Sequence, residues 1–177
     1  MTNNRHLSDP ETLKLVEQIR ANVAFEHAVV SVLVGAGICG VLKFAISFVM
    51  DLVAGAGLLS AIGAAGFSAL VIMLLYFLIG FAAGAVVIAP LFRILEKSKR
   101  RSGGPYGAAA LAVAGLALII IGALPAARGP TLSAAAAVIL ATIATSVLFA
   151  RRMTPHWAAA EAEERAKDAA PVTFRLH

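Results

Sequence analysis

Four long apolar runs set the pattern of the chain. They extend from Ala28 to Met50, from Ala65 to Leu91, from Tyr106 to Pro125 and from Thr131 to Ala150. A helix rises about 1.5 Å per residue, so about 20 apolar residues cross the ~30 Å hydrocarbon core of a bilayer. Each run is long enough to do so. Between Asp51 and Arg93, 41 consecutive residues, Leu52 to Phe92, carry no charge. Arg128-Gly129-Pro130 leaves only a tight turn between the third and fourth runs. The pattern predicts an all-α membrane protein, with four transmembrane helices arranged as two antiparallel hairpins.

The flanks read differently. Residues 1–27 are expected to form a cytoplasmic tail containing an amphipathic helix. Ser8-Asp9-Pro10-Glu11 is a helix start of the capping-box type, and Leu13, Val16, Ile19 and Val23 follow at three- and four-residue steps. Residues 28–152 form the four-span domain. Residues 153–177 form a short C-terminal cytoplasmic helix and tail, with Thr154-Pro155 as its start, Glu161/Arg165 and Glu163/Lys167 spaced for surface ion pairs, and Pro171 as its stop. Leu52 to Gly66 is apolar and glycine-rich, and the part not used by the second span is too short to cross. It reads either as a loop on the outer face or as a re-entrant half-helix. Pro90 is expected to kink or end the second span.

Composition sharpens this picture. The chain has 177 residues, 60% hydrophobic and 14% charged, with a mean hydropathy of +0.87. Soluble domains are ~45–50% apolar and ~25% charged. The excess excludes a soluble enzyme, a nucleic-acid-binding domain and a disordered tail. The net charge of +5 and pI near 9.9 fit basic residues crowded at the cytoplasmic ends of spans. With four spans, 13 of the 15 Lys and Arg residues fall on the side of the termini, and only Lys43 and Arg128 fall elsewhere. The positive-inside rule then puts both termini in the cytoplasm. The acidic residues Asp9, Glu11, Glu17 and Glu26 before the first run argue for a retained anchor rather than a cleaved signal. The Ala/Gly-rich composition suggests a bacterial inner (plasma) membrane.

Few residues suggest chemistry. Lys43 and Asp51 are the candidate intramembrane polar site, because an ionisable group within a span is costly and is a functional candidate by default. Two readings fit Lys43: its amine snorkels to the outer head groups, or it faces a buried partner or water-filled cavity. Asp51 lies eight residues later, ~80° around and ~12 Å along an ideal helix. Gly35, Gly40, Gly80 and Gly84 are candidate helix-packing positions, the last two forming a GxxxG match. Arg93, Lys97, Lys99, Arg100 and Arg101 are candidates for contact with lipid head groups. Tyr76, Tyr106 and Trp157 are candidate interfacial aromatics. His27 lies at the inner mouth of the first span, and His6, His156 and His177 lie in tails without metal-site spacing. Cys39 reads as a small hydrophobe. No catalytic set, metal site or cofactor motif can be assembled.

The sequence therefore reads as a small integral membrane protein, not an enzyme, acting as a structural or accessory subunit through helix–helix contacts. Its expected partners are the lipid bilayer and either another copy or a different membrane protein, with no nucleic acid. The alternative is a small transporter or channel subunit using Lys43 and the glycine-rich segment 52–66.

Overall fold

The computed structural model describes residues 10–123 and 132–169, all in helices and short connections. The Ser8 cap, the Arg128-Gly129-Pro130 turn and the Pro171 stop lie outside the described residues. Helix α1 spans Pro10–Val53, α2 Leu58–Ala83, α3 Ala89–Lys97, α4 Gly104–Ala123 and α5 Leu132–Ala169. A π-helical turn, Gly84–Ile88, joins α2 to α3 without a break. Four stretches are long and apolar enough to cross a membrane: Gln18–Val53, Leu58–Lys97, Gly104–Ile121 and Leu132–Ala166. These four helices suit a small integral membrane protein.

The helices are longer than the apolar runs. α1 has 44 residues, about 66 Å at 1.5 Å per residue, and it carries the N-terminal stretch and the first apolar run as one rod. Val16 and Ile19 remain exposed in its first part, whereas Ala24 and Ala28 are buried. α2 begins at Leu58, so the connection after α1 is only residues 54–57, with Gly55 at φ +83° closing the turn. Most of the glycine-rich segment is thus the first two turns of a helix rather than a loop or a re-entrant piece.

Neither internal proline ends its helix. Pro90 lacks an N–H, and its ring crowds the carbonyl one turn earlier. The wider π turn relieves that crowding, with the Ala89 N–H reaching the Gly84 carbonyl. Pro155 lies inside α5, which runs on to Ala169. The second helix start expected at Thr154 is instead a continuation. The Thr154 hydroxyl donates to the Ala150 carbonyl at 2.8 Å.

α1 is the centre of the bundle, packed along both α2 and α5, while α4 rests mainly on α5. The two interfaces of α1 run antiparallel. Gly40 meets Met73 and Gly80 meets Val32 across α1 and α2. Across α1 and α5, Arg20 meets Glu163 and Lys43 meets Ser133. The approach is close enough to need glycine at two points. A Cβ at Gly35 would collide with the Thr145 hydroxyl, and one at Gly80 would lie 2.7 Å from Val32 Cγ1.

The principal core lies at the end holding Arg20, Glu96 and Glu163, here termed the basic end. It joins Ala24, Ala28, Phe92, Leu95, Tyr106, Phe149, Met153 and Trp157. Tyr106 meets Phe149 edge-on at 5.2 Å and stacks on Trp157 at 6.1 Å. Both rings are buried between helices. Burial makes Trp157 a structural anchor, so Trp157→Ala is expected to cost about 3–5 kcal/mol, read as a lowered unfolding midpoint in detergent. Gly35→Val should likewise lower it by forcing α1 away from α5.

Candidate functional site

α2 and α4 touch at only a few points. Between them lies a cleft of about 450 Å³, floored by α1 and α5. Its volume falls within the ~300–1,000 Å³ range of ligand pockets. The α2 wall includes Leu75, Ile79 and Ala83, and the α4 wall includes Ala110, Val113 and Ala117.

Hydroxyls line the floor but are engaged by backbone. Ser31 donates to the His27 carbonyl at 2.7 Å, Thr142 to Val138 at 2.7 Å and Ser146 to Thr142 at 2.8 Å. Thr145 donates to the Ala141 carbonyl at 2.8 Å, and the Tyr76 hydroxyl lies 2.9 Å from Thr145 Oγ1. With the Thr145 proton committed to a carbonyl, Tyr76 is the donor in that bond. Such back-bonding leaves few donors facing the cleft and gives it a mostly apolar character.

Lys43 borders the cleft and is 6% exposed. Its ammonium donates to Ser47 Oγ at 2.7 Å and Ser133 Oγ at 2.9 Å. Ser47 is one turn along α1 and Ser133 lies at the start of α5, so the amine points along the bundle away from the basic end while remaining inside protein. The amine therefore has buried hydroxyl partners on two helices. Asp51 is half-buried two turns further along α1. Among the packing glycines, Gly35, Gly40 and Gly80 face neighbouring helices, while Gly84 has open space at its Cβ position and borders the cleft.

The five basic residues of α3 and the turn that follows it divide into two groups. Arg93, Lys97 and Arg100 are exposed. Arg101 turns inward, its side chain 3% exposed, and meets Glu164 at 2.8 Å and Glu96 at 3.6 Å. Arg20 of α1 joins the same network through Glu96 at 3.2 Å and Glu163 at 2.8 Å. Lys99 makes the turn possible. It adopts a left-handed conformation at φ 55°, with its N–H on Glu96 and the Arg100 N–H on Leu95, the bonding of a Schellman cap in which glycine is usual. This network joins α1, the end of α3 and the extension of α5. Of the pairs suggested by spacing, Glu161–Arg165 forms at 3.6 Å, and Glu163 reaches across to Arg20 of α1. Only the continuation of α5 through Pro155 brings Glu163 and Glu164 within reach.

One further pair unites residues that sequence assigned to separate regions. His27 Nε2 and His156 Nε2 are 3.0 Å apart across α1 and α5. No local spacing signals a contact between residues 129 positions apart. Among the described residues, no group of three or more His, Cys, Asp or Glu side chains comes together as a metal cluster.

The network yields an ordered set of expectations. Arg101→Gln should destabilise the basic end more than Lys99→Gln, because Arg101 is enclosed while Lys99 is 71% exposed and 3.8 Å from Glu164. Lys99→Gly should instead hold or raise stability by up to about 1 kcal/mol, through relief of the left-handed strain. Arg101, by hydrogen bonding, holds the Glu164 carboxyl below the usual carboxylate range. Its contribution is full above that range and is lost as pH falls through the lowered value. Hydrogen exchange in the last turns of α5 should therefore rise under acid, and Arg101→Gln should remove that pH dependence.

Comparison of the chain with protein-family models, curated proteins and solved structures finds no match.

Proposed function

We propose that this protein is an accessory subunit of a bacterial inner-membrane assembly, with both termini in the cytoplasm and no catalytic role. The cleft between α2 and α4 carries the reading. Its α4 wall is built mainly of alanine and valine around Ala110, Val113 and Ala117. Small residues let a second helix approach closely, which is how helices associate in lipid. An apolar helix of a partner protein is the occupant that this wall suits best.

A transport role draws less support. The ammonium of Lys43 is already held by two serines, and segment 58–66 lies within α2. Lys43→Leu is expected to alter insertion or stability but not solute flux in reconstituted vesicles. Loss of flux from a folded variant would favour the transport reading.

Two measurements test the main proposal. Ala110→Phe combined with Ala117→Phe fills the cleft from one face of α4, and should abolish co-isolation of a partner in mild detergent while leaving the chain folded. Recovery of the wild-type chain alone, as a monomer, would count against an accessory role. A reporter active only outside the cytoplasm, fused after His177, should be silent.

A further inference from the structure

We propose that His27 and His156 form a two-imidazole site for a divalent transition-metal ion of the Cu²⁺, Ni²⁺ or Zn²⁺ type, tying α1 to α5 at the basic end of the bundle. The two Nε2 atoms are 3.0 Å apart and the ring centroids 5.0 Å apart, with the planes inclined at 44°. Metal–imidazole bonds are about 2.0–2.1 Å long. An ion at that distance from both nitrogens would subtend roughly 95° between them, the angle of two adjacent ligands in a tetragonal or octahedral shell. Opening the pair by a few tenths of an ångström reaches the tetrahedral angle preferred by Zn²⁺. The separation that makes a hydrogen bond is thus also close to the bite of a chelate.

The helices hold this geometry independently of any ion. Seven residues from each histidine, Arg20 and Glu163 pair at 2.8 Å across the same two helices. Between His27 and the Gly35–Thr145 contact, α1 also buries Ala28 and Ser31. The seam is therefore fixed on both sides of the pair. His27 is half-buried and His156 exposed, so an ion has access and water can complete its shell.

Charge bears on the site from both helices. Glu26 adjoins His27, and Arg20 lies two turns from it on α1. Arg152 lies one turn and Glu163 two turns from His156 on α5. Arg152 opposes a dication, which favours an ion with strong imidazole affinity. Cu²⁺ leads the divalent series in this respect. Binding requires both ring nitrogens free of protons, so affinity must fall as pH is lowered.

The test uses the purified full-length chain in detergent, with Cu²⁺ as probe and paramagnetic resonance as readout. One equivalent should bind with a signal showing two imidazole nitrogens, and should raise the unfolding midpoint reversibly with chelator. His27→Gln and His156→Gln should each abolish the two-nitrogen signal and the midpoint shift. A variant with His6 and His177 both replaced by Gln should retain them, which separates this site from the tails. An unchanged signal in His156→Gln, or a wild-type signal from one nitrogen or none, would overturn the assignment and leave the pair as a hydrogen bond between helices.

Discussion

The bundle depends on α1 meeting two helices at once, close to backbone distance. Lipid tails are as apolar as leucine, so burying side chains between membrane helices gains little from water exclusion. Close van der Waals packing and interhelical hydrogen bonds must supply the attraction. α1 meets this requirement with small residues at its contacts. Gly35 receives the Thr145 hydroxyl of α5, and Val32 packs on Gly80 of α2. Ala24, Ala28, Ser31, Ala36 and Cys39 are all buried.

α4 has no comparable pair of contacts. It rests on α5 and barely meets α2, which opens the cleft. The same asymmetry explains the unequal ends of the bundle. At the basic end, Tyr106 of α4 reaches Phe149 and Trp157 and is locked into the core. Further along, alanines on α4 are too short to close the gap to α2. The opposite end relies on Lys43, whose ammonium links α1 to the start of α5 through Ser133. One end is held by aromatic packing and ion pairs, the other by a buried amine among hydroxyls.

Two prolines that would ordinarily interrupt helices are absorbed. The π turn before Pro90 joins α2 to α3 without a break, and α5 continues through Pro155. These continuations carry Glu96, Glu163 and Glu164 to Arg20 and Arg101. The ion network, the histidine pair and the stacking of Trp157 on Tyr106 therefore share one cause: helices that run beyond the apolar segments and keep their register there.

Hydropathy is a local property, so the four long apolar helices could be read directly from residue order. The scarcity of charge within them was equally plain, as was the value of glycine where helices meet. Which glycines meet a neighbour was not, because Gly80 and Gly84 lie one turn apart on one face, yet only Gly80 has a neighbouring side chain at its Cβ position. The inward turn of Arg101, the burial of Tyr106 and Trp157, the serine partners of Lys43 and the meeting of His27 with His156 all depend on the relative register of α1, α4 and α5. Register is set by packing between residues far apart in the chain. No periodicity within one segment encodes it, and Pro90 and Pro155 suggested breaks where the folded helices continue.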